Sequence, residues 1–426
     1  MKRILIFPFV ACFAFISSAD SSSRTEQIAQ AAEELRPRLI EQRRDFHMHP
    51  ELSNREERTS RVVAEKLREL GFDEIKTNVA KHGIVALLKG KKPGPVVALR
   101  GDMDALPINE LHDVPYKSQT ANVMHACGHD VHTTVELGVA EILSKMRDQI
   151  AGTVKFIFQP AEEGPPTGEE GGATLMIKEG ALENPRPIAI FGMHTTTEVD
   201  AGKIGVRAGA AQAASDMFDI TIRGKMAHAA TPEKGIDTIL VTAECITALQ
   251  SIKSRRVNTF EPIIITIGTI HGGAKRNVIT PEVKLEGTIR TFSESTRKRV
   301  KELMKQTLDG VCAVYGATND LKIIEGTMVV FNDPKLVEET APSIRRALGD
   351  ANVIEAELRM GAEDFSYFQQ VIPGFYWRLG SGNKAKGIIA DAHTPDFDVD
   401  EDCIVVGVKS MCNVLLDFLD RHAEKN

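Results

Sequence analysis

The feature that most constrains the fold is a set of short, uninterrupted apolar runs. They lie at residues 84–88, 96–99, 154–158 and 188–191. Helical patterns surround them, at residues 25–47, 56–70 and 133–146. Strands without polar alternation are buried on both faces, as in a sheet that helices cover on both sides. This part of the chain is therefore predicted to form an α/β domain.

The pattern changes between about residues 213 and 330. The predicted elements, in order, are a strand at 217–222, a helix at 237–252, strands at 263–267 and 283–289, a helix at 294–315 and a strand at 321–324. This β-α-β-β-α-β order matches the ferredoxin-like split unit. The α/β pattern then resumes, with a helix at 341–348, a strand at 375–379 and a final helix from about residue 405. The predicted segments are a leader at 1–19, a catalytic domain in two parts at 20–212 and 331–426, and an inserted α+β domain at 213–330.

The first twenty residues have the layout of a secretory signal peptide. Lys2 and Arg3 precede an apolar run at residues 4–16, and small residues follow as far as Ala19. The run is short for a membrane span. Cleavage near Ala19 and export to the periplasm, the medium or the secretory pathway are expected, with an uncleaved anchor as the alternative. No later stretch is apolar enough to span a bilayer, so no membrane association is expected after the leader is removed.

Composition narrows the function classes. The chain has 426 residues, which favours two domains, and a formal net charge of −7 with no basic-aromatic tract, which argues against nucleic-acid binding. Of its six cysteines, five remain once the leader is removed. An odd and sparse set of this kind is not a disulfide framework.

Chemically active side chains follow three of the apolar runs directly. Asp102 and Asp104 follow the second run, Glu162 and Glu163 the third, and His194 the fourth. Open α/β sheets place their sites just beyond the carboxyl ends of their strands. A lone acidic pair is more often a solvated turn, but three such strand ends together predict a functional site.

The donor types indicate a metal site. Cys127 and His129 open a helix and offer a thiolate and an imidazole to one ion; a structural cysteine beside a capping histidine is the alternative. Of two adjacent glutamates, one can bind metal while its neighbour takes a proton from a water molecule. Another histidine, His393, follows a glycine-rich loop. The predicted protein ligands of two metal ions, with water completing the site, are Cys127, His129, Glu163, His194 and His393.

Eight motifs then carry a family resemblance. They are LRGDMDALPINE, MHACGHDVH, FQPAEEG, GMH, RGKMAHAATP, NVITPEVKLEGTIRTF, GAEDFSYF and AHTPDFDVDE. In this order they resemble the aminoacylase/carboxypeptidase family of dinuclear metallohydrolases. Within it they are most similar to the amidohydrolase branch of hippurate hydrolase, N-acyl-amino-acid amidohydrolases and plant indole-acetyl-amino-acid hydrolases. The resemblance covers nearly everything from about residue 25 onward, including the inserted domain.

The resemblance implies a fold and a division of roles. The fold would be a phosphorylase/hydrolase-like three-layer catalytic domain with an inserted ferredoxin-like lid domain, through which such proteins dimerise. Cys127 would bridge the two metal ions, and Glu162 would be the general base. Asp104 would orient a ligand histidine by a hydrogen bond.

The lid domain would contribute to the site as well. His228 would stabilise the tetrahedral oxyanion. Asn277 and Arg290 would hold the substrate carboxylate, a role that suits the bidentate guanidinium. Their alternatives are a β-turn asparagine and an arginine on a strand surface.

Some features have other readings. His47 and His49 resemble a metal cluster, but the resemblance assigns their HPELS stretch a structural role. For Glu363, in GAEDF, the sequence leaves open whether it contacts a ligand. The chain departs from many relatives in the TTTE string at 195–198, the MA pair at 226–227, Glu233, and the PPTGEE insert at 165–170. These departures remove no ligand, but they make the substrate preference uncertain.

The predicted function is exported, metal-dependent hydrolysis of the amide bond of N-acyl amino acids by a metal-activated water. A dipeptidase or carboxypeptidase of the same family is the alternative. A rival of another class is an inactive metal-binding or ligand-binding protein on this fold. Zn²⁺ or Mn²⁺ is the expected metal, with Co²⁺ or Ni²⁺ as alternatives. The expected partners are a small N-acyl amino acid or dipeptide and, through the lid domain, a second copy of the chain; a monomer is the alternative.

Overall fold

The computed structural model describes residues 18–423. Most of the predicted signal peptide lies outside these residues. The helices are α1 (Ser18–Met48), α2 (Glu57–Glu69), α3 (His129–Lys145), α4 (Gly172–Lys178), α5 (Thr238–Arg255), α6 (Glu294–Tyr315), α7 (Pro334–Leu348), α8 (Phe365–Gln369) and α9 (Asp402–His422). In this described range no helix is both long and apolar enough to cross a membrane.

The strands form one large sheet, one smaller sheet and two short ribbons. They are β1 (Glu74–Val79), β2 (Gly83–Lys89), β3 (Lys92–Asp102), β4 (Ala151–Gln159), β5 (Ile190–Asp200), β6 (Ile204–Val206), β7 (Gly209–Gln212), β8 (Ala214–Arg223), β9 (Ala227–His228), β10 (Ile263–Gly272), β11 (Val278–Ile279), β12 (Glu282–Thr291), β13 (Thr318–Glu325), β14 (Val330–Asn332), β15 (Val353–Glu355) and β16 (Gly374–Gly382).

The large sheet has the strand order β1-β2-β4-β3-β5-β16-β6-β15. Its centre is parallel, from β4 through β3 and β5 to β16, while β1 and β2 run antiparallel at one side. Helices cover both faces: Val97 and Leu99 pack in the same core as α1, α3 and α9, whereas Ala98 packs with α4 and α8. Successive residues of a strand point to opposite faces, so this apolar run is buried from both sides. The predicted three-layer α/β fold is confirmed.

A second sheet of four antiparallel strands lies within the predicted inserted segment, in the order β10-β12-β8-β13. Together with α5 and α6 it follows the predicted β-α-β-β-α-β sequence. It has its own core, in which Phe218 and Leu285 pack against Leu303 of α6. The domain boundaries at 212 and 330 stay a prediction.

Two strands near the site are longer than the apolar runs that predict them. β3 continues through Asp102, and β5 continues past His194 to Asp200 because Thr195 and Thr196 keep pairing with β16. An apolar run indicates only the part of a strand that helices cover on both faces. Polar residues can continue the strand beyond that part, toward its carboxyl end. Asp102 is therefore the last residue of β3, and His194 lies within β5, so both are in strands rather than in loops.

Candidate metal centre

The five predicted metal ligands, called the ligand cluster below, come together at the carboxyl end of the parallel strands. They form two groups that share the Cys127 thiol: one with His129 and His194, the other with Glu163 and His393. Within each group the donor atoms lie within 4.8 Å of one another. A thiolate, imidazoles and a carboxylate are donors that Zn²⁺ and similar ions accept. The arrangement matches two ion positions bridged by one sulfur.

Two histidines point their Nε2 atoms at the Cys127 sulfur. The distances from Sγ are 3.4 Å to His194 and 3.3 Å to His393. The Nδ1 of His194 donates to the Thr195 carbonyl at 2.7 Å, which leaves its Nε2 as the basic nitrogen. Burial, with the neighbouring His132 and Arg378, lowers the pKa of His194 well below its usual value, so the ring is held in the neutral, metal-binding form.

His129 supplies the observation that best tests whether the site fits a metal ion. Its ring is fully buried, and neither Nδ1 nor Nε2 forms a hydrogen bond among residues 18–423. Its Nδ1 lies 3.3 Å from Oδ1 of Asp104, the residue predicted to orient it. A buried polar atom without a partner is costly, and an ion bound at Nε2 would satisfy it. The donors present therefore fit the implied metal.

Asp104 also holds the two glutamates in place. Its carboxylate accepts the backbone N–H groups of Glu162 at 3.0 Å and Glu163 at 3.1 Å, and the Ser53 hydroxyl at 2.7 Å. The residue before the glutamates, Ala161, has a left-handed backbone with φ of 54°. A non-glycine residue persists in this region only where the surroundings impose it. The strand-end turn is therefore fixed in the form that aims both carboxylates at the cluster.

The two carboxylates occupy different positions, and Glu162 also forms a possible ligand group with His129 and Glu163. Their roles as base and ligand stay predictions. Glu163 Oε1 lies 3.0 Å from His393 Nε2, inside a ligand group. Glu162 Oε2 lies beside that group, 3.8 Å from the open Nε2 of His129. Burial, together with the charges of Glu363 and Glu163, raises the pKa of Glu162 well above its usual value. A carboxylate with this shift can take up a proton at neutral pH and return it.

The loop of His393 is fastened to the same region. Its backbone N–H donates to the Ala126 carbonyl at 2.7 Å, and its φ of 66° is again left-handed. On the other side, Gly128 has a φ of 87°, and a Cβ there would lie 2.3 Å from Thr195 Oγ1. Glycine therefore lets the start of α3, with His129, lie directly against β5.

Sequence reasoning missed the support behind the ligands. His132 receives a hydrogen bond from the Thr195 N–H at its Nε2, 2.9 Å away, so its Nδ1 carries the proton that bonds Asp102 at 2.6 Å. This contact anchors β5 one residue beyond His194. The i, i+3 spacing of His129 and His132 on α3 was a usable signal, because it places both rings on one helix face.

A second missed element is the fully buried Arg100. Its guanidinium contacts Asp102 at 2.6 Å, Asp364 at 2.9 Å and Glu363 at 3.1 Å. Glu363 also accepts the Tyr376 hydroxyl at 2.5 Å, and it lines the cavity beside Glu162. Glu363, whose contacts the sequence left open, thus belongs to the wall of the site.

Of the three predicted lid residues, one lines the cavity of the ligand cluster and two do not. Arg290 lines the same cavity of about 520 Å³ as Cys127, Glu162 and His194. His228 and Asn277 lie next to each other, with the Ala229 N–H bonded to the Asn277 carbonyl at 3.1 Å, but neither lines that cavity. Their roles in binding and catalysis stay predictions.

Comparison with known proteins agrees with this geometry. The family model described as peptidase family M20/M25/M40 matches residues 98–417. N-acetylcysteine deacetylase of Bacillus subtilis is 37% identical over 383 residues, 90% of this chain and 97% of that protein. Thermostable carboxypeptidase 2 of Saccharolobus solfataricus is 37% identical over 397 residues, 93% of this chain and 99% of that protein. A dinuclear metal binding peptidase of the M20 family from Bacillus subtilis superposes with a TM-score of 0.79 at 34% identity, covering 91% of this chain and 99% of that one.

The chain therefore belongs to peptidase family M20/M25/M40. This confirms the resemblance drawn from the motifs, and with it the prediction of a hydrolase that acts on carbon–nitrogen bonds.

Proposed function

We propose that the chain is a dinuclear metal-dependent amidohydrolase that cleaves the amide bond of N-acyl amino acids. The observation that carries this proposal is the pair of donor groups sharing Cys127, with the carboxylate of Glu162 beside them and not in either group that Cys127 joins. A ligand set next to a separate proton acceptor is what hydrolysis by an activated water requires.

The ligand cluster would hold two divalent ions, which supply Lewis acidity toward a water molecule and the substrate carbonyl. Glu162 takes the proton of the attacking water and later passes it to the leaving amine. Its position next to His129 puts it within reach of that water, and its raised pKa matches the proton-carrying step. Asp104 keeps both glutamates in register by holding their backbone N–H groups.

The named relatives include both kinds of activity that the sequence left open, a deacetylase of N-acetylcysteine and carboxypeptidases. Both cleave an amide bond beside a small carboxylate-bearing unit, so the two share this chemistry. The proposal for N-acyl amino acids rests on the motifs of the amidohydrolase branch. Zn²⁺ or Mn²⁺ as the metal, export through the N-terminal segment and a homodimer through the four-stranded sheet are further proposals.

The test is a substrate panel on the full chain after reconstitution with Zn²⁺, Mn²⁺, Co²⁺ or Ni²⁺. Acetyl, benzoyl and indole-acetyl amino acids are compared with dipeptides by release of the free amino acid. Faster hydrolysis of the N-acyl amino acids supports the proposal, and a preference for dipeptides replaces it with the peptidase alternative. A reconstituted protein that retains no metal and hydrolyses neither class would establish the inactive binding protein.

Glu162→Gln tests the base. Its kcat is expected to fall by about 10²–10⁴-fold with metal content unchanged, since the amide cannot take a proton. Glu302→Gln is the matched control, because Glu302 is exposed on α6 and pairs with Arg299 at the surface. Near-normal turnover of Glu162→Gln would rule out its assignment as the base.

A further inference from the structure

Three arginines line the cavity that holds the ligand cluster. Arg290 reaches it from β12, Arg378 from β16, and Arg359 from the segment between β15 and α8. The proposed reaction needs one cation at most for the carboxylate that every N-acyl amino acid carries, and Arg290 is the residue predicted for it. The proposed mechanism therefore gives no role to the other two cations, Arg359 and Arg378.

Of these two arginines, Arg378 gives the stronger evidence for an anionic ligand. It is partly buried and in register with His194 on the neighbouring strand, so it stands directly beside the ligand cluster. Among the residues that the structure describes, it forms no hydrogen bond or ion pair. Burial and the nearby guanidinium of Arg359 lower the pKa of Arg378, and the charge of Glu363 offsets this only in part. A shielded cation that no carboxylate contacts directly is destabilising, and an anionic ligand would compensate it.

Arg359 is held so that it faces the same space. Its backbone pairs with the β7–β8 junction, through its N–H to Ala211 at 3.1 Å and its carbonyl to Ala213 at 3.0 Å. Its guanidinium donates to Thr196 Oγ1 at 2.8 Å and to Glu198 at 3.1 Å. Glu198 is 59% exposed, so its charge is well screened by water and neutralises Arg359 only in part.

The partners of Arg359 are part of the sequence departure at 195–198, where many relatives have an aromatic residue and a proline. Here Thr196 and Glu198 hold the Arg359 guanidinium in the cavity wall instead. A guanidinium in the wall suits a carboxylate, which it can bind through two hydrogen bonds.

A second cavity adjoins the arginine-lined one. A neighbouring cavity of about 510 Å³ shares Glu162 and Gly164 with the first and is lined by Leu175, Met217 and Tyr367. An acyl chain directed there leaves the amino-acid portion of the substrate in the arginine-lined cavity, with the scissile bond near Glu162.

We propose that Arg359 and Arg378 form a subsite for a second carboxylate, so that the preferred substrates are N-acyl derivatives of acidic amino acids. The α-carboxylate then binds at Arg290, and the side-chain carboxylate of glutamate or aspartate binds between Arg359 and Arg378. This inference rests on the proposed function and names the substrate class of the same site.

The test compares isosteric substrates on the reconstituted full chain. N-acetyl-L-glutamate is expected to have a kcat/KM at least about 10-fold above that of N-acetyl-L-glutamine, mostly through KM, because a charge-assisted contact is gained. Equal values for the two overturn the subsite while leaving the amidohydrolase intact. A preference for N-glutaryl-L-methionine over N-acetyl-L-glutamate also overturns it, since the second carboxylate would then belong to the acyl side. No hydrolysis of any N-acyl amino acid overturns the proposed function itself.

Variants assign the effect to the arginines. Arg378→Met is expected to lower the glutamate-to-glutamine ratio of kcat/KM by about 10–100-fold, and Arg378→Lys by less because the charge is kept. Arg186→Met, at an exposed arginine that pairs with Glu183, is the control and should leave the ratio unchanged. An equal loss on both substrates would show that Arg378 serves the common α-carboxylate and would overturn the proposal.

A binding measurement keeps the test independent of turnover. Calorimetric titration of metal-loaded Glu162→Gln protein with N-acetyl-L-glutamate and N-acetyl-L-glutamine should show the same preference, and adding Arg378→Met should remove it. Retention of the preference in the double variant would overturn the assignment to Arg378.

Discussion

Two clusters of polar side chains meet at the adjacent residues His129 and Asp130. They differ in whether the ring nitrogens of their histidines have protein hydrogen-bond partners. The ligand cluster contains His129. The residue after it, Asp130, belongs to a second cluster behind the site, called the His47 cluster. Its members are Arg43, His47, Glu110, Asp130 and Asp398.

Both ring nitrogens of His47 are occupied by protein. Nδ1 lies 2.8 Å from Asp130 and Nε2 3.4 Å from Glu110, while Arg43 pairs with Asp130 at 2.8 Å. In the ligand cluster, by contrast, Nε2 of His129 has no hydrogen-bond partner among the described residues, and His194 bonds backbone only through Nδ1. A metal-binding histidine keeps one nitrogen free while the other is anchored. The bonding of each nitrogen, not the number of histidines, distinguishes a structural cluster from a binding one.

The largest expected effect tests the His47 cluster as a stabilising unit. Arg43→Met leaves Asp130 without its buried guanidinium, and the free energy of unfolding should fall by about 3–5 kcal/mol. Arg44→Met is the control on the same helix; its partly exposed pair with Glu401 should be worth about 0–1 kcal/mol. Urea unfolding measures both. The comparison fails if Arg43→Met releases metal without loss of stability.

The next effect tests the ligand cluster. His194→Ala removes a donor and should weaken Zn²⁺ binding by more than about 100-fold, beyond the loss seen when only an outer hydrogen-bond partner is removed. His47→Gln should leave Zn²⁺ affinity nearly unchanged, because neither ring nitrogen is available to an ion. Competition with a chromophoric chelator measures both variants. Equal loss of metal from the two proteins would contradict the distinction.

A smaller effect is expected at the contact that orients His129. Asp104→Asn removes the charge opposite Nδ1 and keeps one oxygen, which can accept the N–H of only one of the two glutamates. Zn²⁺ affinity should fall by about 10–100-fold. Asp148→Asn, at a 77% exposed position, is the matched control. Unchanged affinity in Asp104→Asn would mean that the carboxylate serves the glutamates alone.

The sequence predicted the ligand cluster better than its surroundings, for a physical reason. Apolar strands buried on both faces leave a clear pattern, and parallel strands bring their carboxyl ends to one edge, so Glu162 and His194 could be placed together. The residues that hold the ligands in place are polar, and no local sequence pattern identifies them. Arg100 follows the apolar run of β3, and nothing in the local sequence indicates that it is buried against Asp364, which is distant in sequence. The position of Arg378 in the wall of the cavity likewise follows only from the pairing of β16 with β5 in the folded chain.

The smallest effect separates the clusters by their response to pH. Despite burial and the repulsion from Arg43, the carboxylates of Asp130 and Glu110 raise the pKa of His47 above its usual 6.5. A raised folded-state pKa means that protonated His47 stabilises the fold fully below about pH 6.5, and this contribution is lost as pH rises through the folded pKa.

The stability difference between the natural chain and His47→Gln, measured by urea unfolding with a chelator present, should therefore be largest at about pH 6 and shrink at higher pH. Zn²⁺ affinity of the ligand cluster should change in the opposite direction, rising with pH as Cys127, His129 and His393, whose pKa values are all raised, lose their protons. A difference in stability that grows with pH would show that His47 is held neutral, and the carboxylates would then not be its decisive partners.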